Sequence, residues 1–278
     1  MAEKNDIRPG QSIELLKELH ILTRDGKLNQ DSRRKLKQIY HLYQFIEPLL
    51  KELGHDIALV DHGAGKSYLG FILYDLFFKT LNDNSHIYGI ETREELVEKS
   101  CELAQRLGFK AMSFLNLSVA DSITSSRLPQ KIDMVTALHA CNTATDDAIR
   151  FALEKHTGFI VLVPCCQAEV ASVLRKNKGR ALKNPLTELW RHPIHTREFG
   201  SQITNVLRCL QLEAHGYQVT VTELVGWEHS MKNELIIARK HQQANPAAAG
   251  RLGEILATLG LEEMHARFFT NVASNAGN

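Results

Sequence analysis

The chain has 278 residues, a length that suits one large α/β domain with an appendage, or two small domains, and that is ample for a buried core. Its 33 basic and 32 acidic side chains give a formal charge of +1, and 44% of its residues are apolar, which excludes a disordered chain or a supercharged tail. Five cysteines without a CxxC spacing indicate neither a secreted disulfide framework nor a four-cysteine zinc site. We therefore expect a cytoplasmic protein without a bound metal. The longest apolar stretch, 68–78, is too short for a membrane span, so no membrane anchor is expected.

The first section of the chain is predicted to be helical. Apolar residues recur at intervals of three and four over 11–22 and 31–53, which is the pattern of amphipathic helices. Asp31 is the expected N-cap of the second helix, and Gly54 is expected to end it. These helices define an N-terminal helical extension over 1–54.

From residue 56 onward, short β-branched or apolar runs alternate with helical segments, as in a parallel sheet with crossover helices. The predicted strands are 56–61, 85–91, 110–115, 132–138 and 158–163. The predicted helices are 66–81, 92–107, 143–156, 167–176 and 195–216. Two final strand-like runs, 217–225 and 233–239, predict an antiparallel hairpin that completes the sheet. The pattern indicates an α/β domain over 55–241 and a helical tail over 242–278.

The segment most informative about function is 60–67, VDHGAGKS, which places small residues between the first predicted strand and the helix after it. Such a loop lets a ligand approach the backbone closely and directs backbone N–H groups toward it. A P-loop for ATP would require glycine where Val60 stands, and a dinucleotide motif would require a third glycine where Tyr68 stands. ATP and NAD are therefore disfavoured.

The same segment resembles motif I of class I S-adenosylmethionine-dependent methyltransferases, a hydrophobic residue followed by Asp-x-Gly-x-Gly. Ser67 stands where a third glycine is common. The resemblance extends from about residue 56 to 240 and implies a Rossmann-like α/β sheet with S-adenosylmethionine as cofactor. Gly63 and Gly65 would leave room for the methionine moiety, and Asp61 would accept a hydrogen bond from its ammonium group.

Acidic residues at the ends of the next two strands extend this resemblance. Glu91 ends the second strand and is placed to accept hydrogen bonds from both ribose hydroxyls of the cofactor. After the third strand, the family often has an acidic residue that binds the adenine amino group, and Asp121 is its counterpart here. Leu138, at the end of the fourth strand, completes the predicted cofactor contacts.

The loops after the fourth and fifth strands, 138–146 (LHACNTATD) and 163–167 (VPCCQ), carry the candidate catalytic residues. They are similar to a narrower methyltransferase subgroup, with HxCxxATD and PCC patterns, that includes eukaryotic tRNA 2′-O-methyltransferases. His139 is predicted as a general base, a substrate-positioning residue or a histidine bound to backbone. Asp146 is a second catalytic candidate, or it caps or orients its helix. Cys165 is a candidate nucleophile, as in RNA cytosine-5 methyltransferases, or a small thiol packed beneath the cofactor.

A basic stretch precedes the last long helix of the predicted sheet domain. Between 175 and 197, seven basic residues stand against Glu188 alone, a composition that would follow phosphates and stack a base. The predicted substrate contacts are Arg175, Lys176, Lys178, Arg180, Trp190 and Arg191. A second basic cluster, 33–37, lies on the second predicted helix.

Three functional hypotheses follow. The first is a methyltransferase of RNA, either tRNA or rRNA, with the ribose 2′-OH as leading acceptor. The second is a methyltransferase of a small molecule or a protein, which would bind the cofactor without affinity for RNA. The third is a catalytically inactive cofactor-binding module, suggested by Asn142 and Gln167 where the subgroup has glycine and histidine. The sequence does not predict an oligomeric state.

Overall fold

The computed structural model describes residues 7–82, 84–138, 143–164, 167–176, 185–224, 234–241 and 243–270. They form one β-sheet with helices on both of its faces. The strands are β1 (Ala58–His62), β2 (His86–Glu91), β3 (Met112–Asn116), β4 (Met134–Leu138), β5 (Phe159–Val163), β6 (Tyr217–Glu223) and β7 (Glu234–Lys240). The α-helices are α1 (Ile13–Glu18), α2 (Gln30–Leu53), α3 (Tyr68–Leu76), α4 (Glu94–Leu107), α5 (Val119–Thr124), α6 (Thr143–Glu154), α7 (Glu169–Lys176), α8 (Pro193–Ala214) and α9 (Pro246–Thr258). Short 3-10 helices cover Phe78–Thr80, Pro185–Trp190 and Glu262–Met264.

The seven strands lie in the order β3-β2-β1-β4-β5-β7-β6. Strands β1 to β5 are parallel, whereas β7 runs antiparallel to both β5 and β6. The chain builds outward from β1 in one direction and then from β4 in the other, so a topological switch point lies between these two strands. Open α/β sheets bind ligands at such a point, outside the carboxyl ends of the strands. This is the predicted Rossmann-like, mostly parallel sheet with a C-terminal antiparallel hairpin.

All seven predicted strands are present, although only the central ones are buried on both faces and the edge strand β6 is largely exposed. Strand β5, FIVLV, is buried at every position, which is why it reads as a continuous apolar run. Helix α5 was not predicted, since its six residues are too few to show a helical period. Helix α9 lies within the predicted helical tail and begins at Pro246, because the Asn245 side chain caps it there.

The cap of α2 differs from the prediction. The N-cap is Asn29, whose side-chain oxygen accepts a hydrogen bond from the backbone N–H of Ser32 at 2.8 Å. Asp31 instead lies in the first turn, where its carboxylate pairs with Lys35 at 2.8 Å. The predicted end of the helix at Gly54 is confirmed, with φ of 86° at that residue.

Three apolar clusters hold the layers together. The first joins α1 to α4 with one face of the sheet, and the second joins α5, α6 and α8 with the other face. The third lies between α7, α8 and α9, so the predicted C-terminal tail packs against the outside of α8. Within the described ranges, no helix combines the length and the apolar character needed to cross a membrane.

Candidate active site

The glycine loop between β1 and α3 depends on left-handed backbone conformations. Gly63 and Gly65 have φ values of 66° and 57°, which glycine adopts without steric cost. Ser67, at the position where a third glycine is common, is also left-handed, with φ of 52°. Its side chain is completely buried, and its Oγ donates a hydrogen bond to Asp61 Oδ2 at 3.4 Å. The loop is tied to β2 as well, because the backbone N–H of Ala64 donates to the carbonyl of Ile90 at 2.9 Å.

Asp61 lies beneath this loop and is 2% exposed. Its Oδ1 accepts a hydrogen bond from Thr136 Oγ1 of β4 at 2.8 Å, and its carboxylate also accepts from the backbone N–H of Gly70 in α3. Desolvation by burial raises the pKa of Asp61 to about 6, although these hydrogen bonds lower it in part. The carboxylate therefore braces β1, β4 and α3 from below the loop. The predicted contact with a cofactor ammonium stays a prediction.

Glu91, at the end of β2, is held in place by the loop and by Arg93. Its Oε2 accepts a hydrogen bond from the backbone N–H of Gly65 at 2.8 Å, while its Oε1 accepts from Arg93 Nε at 3.0 Å. Desolvation acts to raise the pKa of Glu91, but the hydrogen bonds from Arg93 and Gly65 outweigh it and lower the pKa overall. The carboxylate is thus an ionised acceptor at neutral pH.

A cavity of about 450 Å³ opens beside Glu91, and we call it the strand-end cavity. Its volume is in the range of small-molecule sites, and it lies outside the carboxyl ends of β1 and β2. Its lining consists of His62, Gly63, Ile90, Glu91, Thr92, Arg93, Leu117, Val119, Ala144 and Asp147. A larger cavity of about 560 Å³, lined by residues of α4, β2 and β3, includes neither the glycine loop nor a strand-end carboxylate.

The structure adds two residues to the candidate site that the sequence analysis did not single out. His62 is 4% exposed, and its ring lies 5.5 Å from that of Phe151, centroid to centroid. Burial lowers the pKa of His62 to about 4. Burial also raises the pKa of Asp147 in α6. His62 occupies the variable position of the Asp-x-Gly motif, and Asp147 directly follows Asp146. The only signal in the sequence for either residue is its position beside a motif.

Asp146 forms a buried ion pair and does not line the strand-end cavity. Arg208 of α8, which is 1% exposed, donates from Nε to Asp146 Oδ1 at 2.7 Å and from Nη2 to Oδ2 at 3.0 Å. Two parallel hydrogen bonds of this kind fix the orientation of the carboxylate. The contact agrees with the alternative that Asp146 orients α6, and its catalytic role stays a prediction.

Asp121 and Leu138, the other two predicted cofactor contacts, do not line the strand-end cavity. Asp121 is in the first turn of α5, where its Oδ2 accepts a hydrogen bond from Ser118 Oγ at 2.5 Å. Its neighbours Leu117 and Val119 line the cavity instead. Leu138 is half-buried at the end of β4. The predicted adenine contact of Asp121 is not tested by this geometry.

The predicted substrate contacts are divided between exposed and buried positions. Arg175 and Lys176 are exposed at the end of α7, and Arg191 is exposed and pairs with Glu188 at 3.1 Å. Trp190 is 3% exposed within the apolar cluster of α7, α8 and α9, and its stacking on a base stays a prediction.

The second basic cluster, 33–37, lies away from the strand-end cavity. Lys35 Nζ donates a hydrogen bond to the carbonyl of His20, just after α1. Helix α1 in turn pairs with the last turn of α4, where Arg106 Nη2 lies 2.7 Å from Glu18 Oε1. Since α4 begins near the carboxyl end of β2, its last turn lies toward the opposite edge of the sheet. The cluster is therefore remote from the glycine loop.

Four predicted residues lie outside the part of the chain that the structure describes, namely His139, Cys165, Lys178 and Arg180. Their predicted roles are untested. Among the residues that are described, no group of three or more histidine, cysteine, aspartate or glutamate side chains is arranged to hold a metal ion.

A second cavity at the same edge of the sheet, about 430 Å³ in volume, lies between the end of β5, α8 and the β6–β7 pair. We call it the acidic cavity, because Glu198, Glu223 and Glu234 line it and its described lining contains no basic side chain. Asn205 Nδ2 donates a hydrogen bond to Glu234 Oε2 at 2.5 Å and so fixes one of these carboxylates. The charge of this cavity favours cationic ligands.

Sheet order, glycine loop and strand-end cavity together define a Rossmann-like domain of the class I methyltransferase type. A family model described as "Methyltransferase domain" matches residues 34–173, about half of the chain, and the chain belongs to this family.

The curated relatives are much longer than this chain. "Glutathione S-transferase C-terminal domain-containing protein" from Mus musculus is 21% identical over 232 residues, which cover 77% of this chain and 34% of that protein. Its counterpart from Bos taurus is 22% identical over the same coverage. The chain thus spans about a third of the length of these relatives.

Solved methyltransferase structures resemble this chain at low identity. An rRNA methylase from Streptococcus thermophilus has a TM-score of 0.46 and 12% identity, covering 71% of this chain and 95% of that one. Magnesium protoporphyrin IX methyltransferase from Synechocystis PCC 6803, with bound S-adenosylhomocysteine, has a TM-score of 0.46 and 15% identity, covering 82% and 93%. At these scores the likenesses do not identify a substrate.

Proposed function

We propose that this chain is an S-adenosylmethionine-dependent methyltransferase that binds its cofactor in the strand-end cavity. The observation that carries the proposal is the direct link between the left-handed glycine loop and an ionised carboxylate, the 2.8 Å hydrogen bond from Gly65 N–H to Glu91 Oε2. A loop that admits a ligand close to its backbone and a carboxylate that accepts from hydroxyls are the two features that an adenosyl group with a charged tail requires.

The residues around the strand-end cavity fit this cofactor. Glu91 would accept from the ribose hydroxyls, and the apolar side chains of Ile90, Leu117 and Val119 suit a purine ring. A side chain at Gly65 would be strained by its φ of 57°. When bound, the cofactor supplies an electrophilic methyl group on its sulfonium. The protein then has to align the acceptor with that methyl group and remove a proton where the acceptor is a hydroxyl.

For the acceptor, we propose RNA, with the ribose 2′-OH as the first candidate. The basic excess between 175 and 197 supports this, since Arg175 and Lys176 are exposed. His139, which follows β4 in the sequence, is the proposed base for the hydroxyl proton. Cys165 is the proposed alternative nucleophile if a pyrimidine ring is the acceptor. The resemblance of the two strand-end loops to tRNA 2′-O-methyltransferases is the further support.

A second candidate acceptor is a cationic group on a protein or small molecule. Glu198, Glu223 and Glu234 of the acidic cavity favour it, because three carboxylates repel phosphate and attract an amine or a guanidinium group. This cavity lies at the same sheet edge as the strand-end cavity, which is where open α/β sheets receive their ligands.

Calorimetry followed by methyl-transfer assays tests both levels of the proposal. The protein is first titrated with S-adenosylhomocysteine, and absence of binding would contradict the methyltransferase. Labelled S-adenosylmethionine is then supplied with total tRNA and rRNA, or with a protein mixture, at two salt concentrations. Methyl transfer to RNA that weakens with salt supports the RNA enzyme. Transfer to protein alone supports the cationic acceptor.

A variant with Glu198, Glu223 and Glu234 all changed to glutamine distinguishes the two acceptors. Removal of three negative charges should strengthen RNA binding and leave RNA methylation intact or raised. The same variant should lose methylation of a cationic acceptor. Its affinity for S-adenosylhomocysteine serves as the internal control, because these residues lie outside the lining of the strand-end cavity.

A further inference from the structure

His62 presents an unpaired polar group to the strand-end cavity. The residue lines the cavity and is 4% exposed, yet neither Nδ1 nor Nε2 has a hydrogen-bond partner among the residues that the structure describes. Buried polar side-chain atoms are almost always hydrogen-bonded, so an unpaired imidazole in a cavity wall needs an explanation. A bound ligand that supplies the missing partner is such an explanation.

Asp61, the residue before His62 in β1, is fully hydrogen-bonded, so β1 as a whole does not lack polar partners. Successive side chains of a strand point to opposite faces. Asp61 points to the α3 face, where Thr136 and Ser67 both donate hydrogen bonds to it. His62 points to the α6 face, where the ring of Phe151 is its aromatic neighbour. Asp61 is thus hydrogen-bonded within the protein, whereas His62 has no partner among the described residues.

The surroundings of His62 keep its ring neutral. Desolvation by burial lowers its pKa to about 4, against the opposing influence of the nearby Glu91 carboxylate. A neutral imidazole has one nitrogen that donates and one that accepts. The ring therefore suits a hydroxyl group, which can also donate and accept.

The position of Glu91 indicates that this hydroxyl group belongs to the ribose of the cofactor. In the sheet, His62 pairs with Ile90, the residue before Glu91, and both side chains line the strand-end cavity. A carboxylate only accepts, so a ribose hydroxyl that donates to Glu91 keeps its lone pairs for another donor. We propose that His62 is a cofactor-binding residue whose imidazole forms a hydrogen bond with a ribose hydroxyl of the bound cofactor. This inference rests on the proposed function of the cavity.

The substitution His62→Leu tests the proposal. Leucine fills the site without polar atoms, so the ligand-free protein should unfold at the same or a higher temperature. Its affinity for S-adenosylhomocysteine, measured by calorimetry, should fall about tenfold, as expected for loss of one buried hydrogen bond. The matched control is His41→Leu in α2, where Nε2 is also buried without a described partner but lies outside the cavity lining. That variant should bind within about twofold of the wild type.

Deoxy analogues of S-adenosylhomocysteine identify the hydroxyl. The effect of His62→Leu should disappear for whichever analogue, 2′-deoxy or 3′-deoxy, lacks the partner of the imidazole. A loss of equal size with both analogues would overturn the ribose contact. Unchanged affinity of His62→Leu for S-adenosylhomocysteine would overturn the whole inference while leaving the methyltransferase proposal intact. Failure of the wild type to bind would instead overturn the proposed function.

Nuclear magnetic resonance provides a measurement that needs no variant, should His62→Leu fail to fold. In protein labelled with ¹⁵N at histidine, the two ring nitrogens of His62 should shift when S-adenosylhomocysteine is added. Formation of a hydrogen bond to a previously unpaired nitrogen changes its resonance strongly. Ring resonances that stay in place at saturating ligand would contradict the proposal.

Discussion

Glu91 is the residue whose charge matters most to the proposed site. Its carboxylate is held by Gly65 N–H and by Arg93, and it is 7% exposed at the cavity wall. Glu91→Gln keeps the size of the side chain but removes its charge and sets an amide N–H₂ against these donors. We expect the free energy of binding S-adenosylhomocysteine, measured by calorimetry, to weaken by about 1.5–3 kcal/mol.

The control for Glu91 is Glu98→Gln, at an exposed position of α4. It removes the same charge from the same part of the chain without touching the cavity, so its affinity should stay within about twofold of the wild type. Equal affinities of the two variants for S-adenosylhomocysteine would contradict the assignment of Glu91 to the cofactor site.

The raised pKa of Asp61 predicts how the free energy of unfolding depends on pH. Its pKa is about 6 in the folded protein, whereas an unfolded aspartate titrates near 3.9, so between these values the folded state binds more protons. The free energy of unfolding that Asp61 contributes is therefore greatest below about pH 4 and is lost as the pH rises through 6. In Asp61→Asn this loss is absent, and the stability of the variant relative to the wild type should rise by on the order of 2 kcal/mol from pH 4 to 7. Urea unfolding at four pH values measures this slope, and parallel pH profiles would contradict it.

Single-residue contacts were the part of the site least accessible from the sequence. The glycines and Glu91 could be placed because they lie within or directly after a strand, in a local pattern. The contacts of Asp61 and Asp146 could not be placed, because their partners Thr136 and Arg208 lie 75 and 62 residues further along the chain. The burial of Trp190 could not be placed for the same reason, since the apolar cluster around it is assembled from α7, α8 and α9.

Between elements, the ion pair of Asp146 and Arg208 joins α6 to α8 inside the protein. Arg208→Leu leaves the buried Asp146 carboxylate with only the more distant Arg267, whose Nε lies 3.9 Å from Oδ2, and we expect it to lower the free energy of unfolding by about 3 kcal/mol. The double variant Asp146→Leu/Arg208→Leu removes both charges and should recover most of that loss. Chemical denaturation of the four proteins measures the coupling. Additive effects of the two substitutions would mean that the pair does not act as a unit.

The close approach of α7 and α8 depends on Gly200. A Cβ atom at this position would lie 2.8 Å from both Cβ and N of Ala171, closer than real contacts allow. Gly200→Ala should therefore force the helices apart and cost about 1–3 kcal/mol. Gly253→Ala in α9 is the matched control, because nothing lies within 4 Å of its Cβ position. It should stabilise the protein by about 0.5–1 kcal/mol, and thermal unfolding that ranked the two variants in the opposite order would contradict this packing.

At the scale of whole elements, burial and capping explain which predictions succeeded. Strands buried on both faces, such as β5, are continuous apolar runs, and the edge strand β6 was found from its β-branched residues instead. Helix α5 is set by the Ser118 cap and has no periodic face of its own. The start of α9 is set by Asn245, whose side chain accepts from the backbone N–H of Ala248. Cap chemistry decides such boundaries, and a periodicity argument does not detect it.

For the whole molecule, the order of strands brings together residues that the sequence keeps apart. The strand-end cavity takes its lining from the ends of β1 and β2, from the start of α5 and from α6. The acidic cavity opens at the same sheet edge, between β5, α8 and the β6–β7 pair. Alternation of strands and helices predicted the shared edge, because parallel strands end together. It could not predict the acidic cavity, because Glu198, Glu223 and Glu234 come from α8 and from the β6–β7 pair.

Binding of the proposed cofactor should stabilise the whole fold, because the cavity draws on elements from both halves of the sheet. A ligand that binds only the folded state adds about 2.7 kcal/mol to the free energy of unfolding at one hundred times its Kd. For a chain of this size that corresponds to a rise in Tm of roughly 5–10 °C with S-adenosylhomocysteine. ATP and NAD at the same concentration should leave Tm unchanged, because Val60 and Tyr68 occupy positions where their binding loops require glycine. Scanning calorimetry makes the comparison, and a rise with either nucleotide but not with S-adenosylhomocysteine would assign the strand-end cavity to a different cofactor.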